Sequence, residues 1–286
     1  MTEPIIRLDN VSWAYARSAE WALKNISLDI EEGNFIAVMG GNGSGKTTFC
    51  RLLNGLIPHA LAGKLLGSVT VDGIATSLST VPQLAAKVGM TFDDPETQLF
   101  ASTVYDETAF ALENLLMSPA EIREKVEWAL NAAGMRDYAG YPPSSLSGGQ
   151  KQRLVIAAAL AMADRVLVLD EPCSQLDPAG AGEVLCLIND LRAKKGLTVI
   201  MATASGDEAA DFADKICVLE KGMLAAFDTP RRIFADDRLM SGDAIQSPQT
   251  AEFARIMSFL GEPLPEFPVN QDEAEKTVIK WFNGND

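Results

Sequence analysis

The 286-residue chain has one histidine, four scattered cysteines and far fewer bases than acids, and each scarcity excludes something. Cys50, Cys173, Cys186 and Cys217 form no close pair, so neither a disulfide framework nor a zinc-ligand spacing is present. Lys and Arg number 24 against 39 Asp and Glu, a formal net charge of -15. That balance argues against a nucleic-acid partner, because such proteins concentrate Lys and Arg on one face. It suits solubility, or docking against something basic. The longest apolar stretch, LVIAAALAMA at 154–163, is too short to cross a bilayer. The opening MTEPIIRLDN lacks the basic and apolar regions of a secretory signal, so a cytoplasmic protein is expected. Hydrophobic residues at 47% and charged ones at 22% are ordinary for a globular fold of this length.

Strand and helix patterns alternate along the chain. The β-like runs IIRLDNVSW, KNISLDI and GSVTVDG flank a wholly apolar run, FIAVMG at 35–40. That run enters a glycine-rich loop and then the helical KTTFCRLLNGL. From about 95 to 160 the pattern is helical, with Ser118 before Pro119 and Glu121 as a helix start and Gly134 as its stop. RVLVLDE (165–171), a helix over 179–195, LTVIMAT, a helix over 207–213 and KICVLEKGMLAAF follow, then two short helices over 248–260 and 271–283. Apolar strands separated by helices imply an α/β fold with a mostly parallel sheet covered on both faces. We expect one domain over 1–235, with a helical subdomain at 95–160, and a C-terminal helical appendage over 236–286.

Three motifs carry chemistry. GGNGSGKTT at 40–48 fits a phosphate loop: Gly40, four residues, then Gly45, Lys46 and Thr47, after a strand and before a helix. Glycines let successive N–H groups of Asn42, Gly43, Ser44 and their neighbours face phosphate oxygens, and the helix N-terminus at Lys46–Thr48 adds a favourable dipole. Lys46 would pair with the outer phosphates, and the Thr47 hydroxyl would ligate Mg²⁺. In RVLVLDE, Asp170 ends a buried strand where it can hold the metal shell, and Glu171 can polarise an attacking water. LSGGQKQR at 146–153 places Ser147, Gly148, Gly149 and Gln150 at a helix start, a second anion-binding nest.

With SQLDP at 174–178, these motifs in this order resemble the ATP-binding subunit of an ABC transporter over about residues 5–230. The resemblance implies a P-loop ATPase with an N-terminal antiparallel β subdomain, binding ATP and Mg²⁺ at the cytoplasmic face of a membrane. It also implies two subunits facing head to tail, so that Ser147, Gly148 and Gly149 would touch a nucleotide held by the partner and Asp177 would lie at the seam. Tyr15 matches the aromatic that stacks on adenine, with Trp13 as the competing stacker. NGLIPHALAGKLLGSVTVDG and DDPETQLFASTVYDETAFALENL look like the ATPases of energy-coupling factor transporters, importers of vitamins and transition-metal ions. There, two ATPases drive a membrane scaffold subunit and a separate membrane substrate-binding subunit. The acidic run Asp93, Asp94, Pro95, Glu96 would edge the groove that receives the scaffold's arginines.

Two positions depart from the family pattern. Asp93 stands where most members have a glutamine that senses Mg²⁺; an ionised Asp can ligate the metal but cannot donate. Ala204 stands on the histidine that contacts the γ-phosphate, with Ser205 on the acid after it. His59, in LIPHA, reads as a loop residue rather than a displaced catalytic one. Losing such a group costs typically ~10²- to 10⁴-fold in rate, whereas binding through Lys46 and the backbone nest survives. The expectation is a pocket that binds ATP and cleaves it slowly, completed by a second, identical or different, ATPase. Rival readings are an ATPase of another ABC transporter type, a nucleotide-holding subunit with little catalysis, and a soluble non-transport ABC protein.

Overall fold

In the computed structural model, which describes residues 3–240 and 245–284, the strands form two sheets. Strands β1 (Ile6–Tyr15), β2 (Leu23–Ile30), β4 (Gly63–Val71) and β5 (Ile74–Ala75) form an antiparallel sheet in the order β2-β1-β4-β5. The alternating burial of β2 leaves one of its faces on the core and the other in water. The second sheet runs β10-β9-β3-β8-β7-β6, built from β3 (Phe35–Met39), β6 (Val88–Thr91), β7 (Val166–Asp170), β8 (Thr198–Ala202), β9 (Lys215–Glu220) and β10 (Met223–Asp228). Its strands pair in parallel except for β10, which turns back antiparallel along β9. Every residue of β3, β7 and β8 is buried, as continuous apolar runs require when both sheet faces are covered. KICVLEKGMLAAF is thus two strands, reversed at Lys221 and Gly222, both at positive φ.

The helices follow in chain order: α1 (Lys46–Leu53), α2 (Leu56–His59), α3 (Val81–Ala85), α4 (Val104–Asn114), α5 (Pro119–Ala132) and α6 (Gly148–Met162). After them come α7 (Pro178–Lys195), α8 (Gly206–Phe212), α9 (Pro230–Ala235), α10 (Asp237–Met240), α11 (Gln249–Phe259) and α12 (Gln271–Gly284). Ser118 caps α5 as expected, with a reciprocal bond to Glu121, and Gly134 turns the chain away at φ +67°. His59 ends the short α2 rather than lying in a loop, and its Nε2 is 2.7 Å from the Thr76 carbonyl oxygen.

Sheet register decides where the chemistry falls. Val38 of β3 pairs with Ala202 of β8, and Ala202 pairs with Asp170 of β7, so three strands end in one row. The residues just beyond that row are Glu171, Thr203 and Met39, which leads into Gly40, at the carboxyl edge where open α/β sheets place their ligand crevice. The signature helix α6 is brought to the same sheet by close packing at Gly89 of β6. A Cβ there would lie 2.2 Å from the Ala159 carbonyl oxygen and 2.8 Å from the Ala163 side chain. We expect Gly89→Ala to lower unfolding free energy by about 1–3 kcal/mol, the usual cost of overpacking, as measured by urea denaturation. An unchanged midpoint would show that α6 can move aside freely.

Candidate functional site

A cleft of about 440 Å³ opens at this carboxyl edge, lined by Tyr15, Ala22, Gly41 to Thr48, Asp93 and Glu171. The loop Gly40–Gly45 is shaped by its glycines. Gly45 sits at φ +110°, and a Cβ on it would lie 2.8 Å from the Ala22 carbonyl oxygen and 2.7 Å from the Leu23 side chain. Only glycine lets the loop close down there and start α1 directly. Lys46, the first residue of α1, is buried; its Nζ donates to the Gly40 carbonyl at 2.8 Å and lies 3.4 Å from Glu171 Oε1. A buried ammonium thus links the first carbonyl of the loop to the Glu171 carboxylate.

Asp170 is fully buried at the end of β7. Its Oδ1 accepts a hydrogen bond from the Thr47 hydroxyl at 3.3 Å, while Oδ2 has no partner among the described residues. Burial raises its pKa, the Thr47 hydrogen bond opposes the rise, and the charges of Asp93 and Glu171 add to it. An orphaned carboxylate oxygen behind a hydroxyl that lines the cleft suits a hard divalent cation that takes oxygen ligands. The donor set therefore fits Mg²⁺, although no three carboxylate, His or Cys groups among the described residues are close enough to hold a metal by themselves. Phosphate oxygens and water would have to complete the shell.

Glu171 adopts φ +51°, a left-handed conformation rare for a residue with a side chain, while its N–H still donates to the Ala202 carbonyl of β8 at 3.0 Å. The backbone is bent out of line while still tied to the sheet, and the bend aims the carboxylate at Lys46. Tyr15 lines the cleft, and its hydroxyl shares a 3.0 Å hydrogen bond with the Thr48 hydroxyl. Trp13 is wholly buried beneath it, edge to face at 5.7 Å between ring centres. That placement removes Trp13 as a stacker and leaves Tyr15.

The signature lies elsewhere. Ser147 caps α6, receiving the Gln150 N–H at 3.4 Å while Gln150 Oε1 receives the Ser147 N–H at 2.9 Å. Gln150 is thereby committed to the helix cap; Ser147 and Gly148 are exposed, and none of the four lines the cleft. Asp177 caps α7 through the Gly180 N–H at 2.8 Å. Each capping contact was foreshadowed by an S-x-x-Q or D-x-x-G spacing at a helix start.

The acidic run splits between two surfaces. Asp93 faces the nucleotide-sized cleft, and Asp94 accepts the Glu96 N–H at 2.9 Å to cap a short turn. Only Glu96 lines the neighbouring groove of about 530 Å³, with Leu99, Phe100, Pro142, Pro143 and Lys151. The buried Glu107 fixes that groove's wall by accepting the N–H groups of Phe100 at 2.9 Å and Ala101 at 2.7 Å. Lys151 donates to Glu96 at 2.5 Å.

Beyond β8, Thr203 is buried and its hydroxyl donates to Glu208 Oε2 at 2.7 Å, while Ala204 is exposed and presents a methyl group. Glu208 is a residue that motif reasoning missed. Its signal was the S-x-x-E spacing from Ser205, which here caps α8 through the Glu208 N–H at 3.2 Å. Burial raises the Glu208 pKa, opposed by the Thr203 bond and assisted by the charge of Glu171.

Comparison with known proteins agrees with this geometry. Residues 23–174 match the family model described as ABC transporter. An energy-coupling factor transporter ATP-binding protein, EcfA1, of Symbiobacterium thermophilum is 38% identical over 292 aligned positions covering 99% of each chain. CbiO1 of Clostridium perfringens, described as part of the ABC transporter complex CbiONQ, superposes with a TM-score of 0.75 at 29% identity, covering 91% of this chain and 100% of that one. A dimeric ATP-binding cassette solved in a post-hydrolysis state with ADP and Pi gives 0.68 at 29% identity, covering 79% and 99%. The chain belongs to the ATP-binding family of ABC transporters, the transport-coupled ATPases.

Proposed function

We propose that this chain is one of the two ATPases that power an energy-coupling factor type importer of a vitamin or transition-metal ion, and that its own cleft cleaves ATP slowly. The names and near-complete coverage of its relatives support the subgroup. The observation that carries the slow cleft is a methyl group, Ala204, just beyond the strand row that holds Asp170, with the sole histidine engaged at Thr76.

In this reading the backbone of Gly40–Gly45 and Lys46 hold the β- and γ-phosphates, and Tyr15 stacks on the adenine. Thr47, Asp170 and Asp93 hold Mg²⁺, which when bound neutralises phosphate charge and orients the reacting group. Glu171 takes the proton side of the reaction by polarising the water. Its ion pair with Lys46 keeps the carboxylate aimed until phosphate competes for the lysine. What is missing is a donor to fix the water and γ-phosphate from the β8 side. The cleft is also incomplete as a nucleotide enclosure, because Ser147, Gly148, Gly149 and Gln150 do not line it. A second ATPase subunit supplies its own signature, while this chain's signature completes the partner's cleft. Separate membrane scaffold and substrate-binding subunits complete the importer, and the chain rides at the cytoplasmic membrane face; among the described residues no helix is long and apolar enough to cross the bilayer. The groove edged by Glu96, with a partly exposed apolar wall, suits a basic amphipathic helix of the scaffold. Closure of the ATPase pair on ATP then reaches the membrane through the segment that carries both Asp93 and Glu96.

Three outcomes are expected. In an assembled complex whose partner cleft has been inactivated, Ala204→His raises turnover by roughly 10²- to 10⁴-fold, the typical contribution of such a group; an unchanged rate refutes the slow-cleft reading. Asp170→Asn abolishes Mg²⁺-dependent nucleotide binding yet raises the melting temperature of the nucleotide-free chain. The sign follows from the raised carboxyl pKa: the folded state holds the proton more tightly than the unfolded one, so stability falls as pH climbs through the unfolded pKa to the folded one, and above the folded pKa Asp170 carries that penalty in full. A melting temperature that falls on substitution contradicts it. Glu96→Arg removes the groove's acid and cuts recovery of the membrane scaffold on copurification at least tenfold, with nucleotide affinity unchanged; undiminished recovery would place the scaffold elsewhere.

A further inference from the structure

The segment that carries Ala204 is held from two sides by consecutive carboxylates. Facing inward, Glu208 accepts from the Thr203 hydroxyl at 2.7 Å, and that hydroxyl in turn accepts the Ser205 N–H at 3.0 Å. Thr203 also donates its N–H to the Val38 carbonyl at 3.1 Å, two residues before the phosphate loop begins. Facing outward, Asp207 Oδ1 accepts the backbone N–H of Gln249 at 2.9 Å. Gln249 is the first residue of α11, where a helix leaves its N–H groups without intrahelical partners. The same turn meets the chain before α11 backbone to backbone. A Cβ on Gly206 would lie 2.2 Å from the Gln246 carbonyl oxygen and 2.8 Å from the Pro248 nitrogen.

Apolar packing continues the contact. Ala209 and Ala210 of α8 share a buried cluster with Ile233 and Phe234 of α9, Ala251 of α11 and Val269 before α12. Arg255 of α11 ties the layer further, donating to Ser247 Oγ at 3.0 Å and to the Phe234 carbonyl. An unbroken chain of hydrogen bonds and close contacts therefore runs from the start of α11, through Asp207 and Gly206, to Thr203 and the strand that feeds the phosphate loop. Ala204 lies on it, between the inward and the outward anchor.

We propose that Asp207 is a positioning residue through which the C-terminal helices set the location of the Ala204 turn, so that nucleotide turnover depends on how α11 is seated. The functional half of this inference rests on the reading of the cleft as the site of ATP cleavage; the positional half does not. Asp207 touches neither nucleotide nor metal, and it acts only through the backbone of α8.

The test removes the acceptor and the donor separately in the full chain. Asp207→Leu deletes the acceptor, whereas Asp207→Asn keeps an oxygen in the same place. Gln249→Pro deletes only the donor: proline is well tolerated at the first helical position, and Pro248 at φ −60° and ψ 146° already has the extended backbone that precedes a proline. Amide hydrogen exchange at Ser205 and Glu208 is expected to quicken at least tenfold in Asp207→Leu and in Gln249→Pro, and to stay native in Asp207→Asn. Should Asp207→Leu fail to fold, Gln249→Pro and Asp207→Asn carry the comparison. In the Ala204→His background, with the partner's cleft inactivated, the two disruptive variants should lower kcat at least tenfold with KM unchanged, and Asp207→Asn should retain it. Native exchange in Gln249→Pro would overturn the positioning role, as would a kcat loss in Asp207→Asn equal to that in Asp207→Leu. If Ala204→His itself gains nothing, the slow-cleft reading fails while the exchange measurement still decides the positional claim.

Discussion

A carboxylate held out of water with one oxygen unanswered is the constraint on which the rest of this structure turns. Asp170 lies at the end of a fully buried strand, and among the described residues only the Thr47 hydroxyl bonds it. Burying such a group costs free energy unless something compensates the charge. The fold keeps it there because register leaves no other choice: β7, β8 and β3 end in one row, and the row delivers Asp170, the Ala202 carbonyl and the approach to the phosphate loop together. The bent Glu171 and the buried Lys46 are further local costs borne at the same place. A cleft built from several such unfavourable groups is stabilised by a ligand that compensates them, which is how binding energy comes to be concentrated there.

Much of this was legible in the sequence, because its carriers are local. A phosphate loop is a contiguous run of glycines with Lys46 and Thr47 at its end, and a buried parallel strand is an unbroken apolar run, so both could be read without knowing the fold. The helix start at Ser118 announced itself through its capping residue. What could not be read depends on contacts between distant segments. Nothing in DDPE says that Asp93 turns into one cleft while Glu96 turns into another groove; that division follows from the cap made by Asp94. Tyr15 and Trp13 are two residues apart on one strand and look alike on paper, yet the antiparallel sheet buries the ring of one and leaves that of the other beside Thr48. His59 read as a loop residue just beyond the phosphate-loop helix, whereas the chain makes one short helical turn there.

The switch segment shows the same limit most clearly. Sequence comparison within a family marks Ala204 as a missing imidazole, a statement about one side chain. The structure adds how the remaining backbone is held: Thr203 and Glu208 lock it to the sheet, and Gly206 and Asp207 lock it to the C-terminal helices. The turn that carries Ala204 is therefore not loose. On the proposed reading, the segment keeps a defined position without an imidazole, which is what a subunit needs if it must still close on a partner and complete that partner's cleft. Such an arrangement separates the two uses of ATP, binding that brings subunits together and cleavage that parts them.

The most direct test looks at the nucleotide itself in this cleft. The assembled transporter would be given photoreactive ATP and Mg²⁺, crosslinked after several turnovers of the complex, and digested. Mass spectrometry of the peptides containing Tyr15 and the phosphate loop would then report whether the attached nucleotide is a triphosphate or a diphosphate. The account predicts that it is predominantly triphosphate. Predominant diphosphate on this chain's own peptides would contradict it.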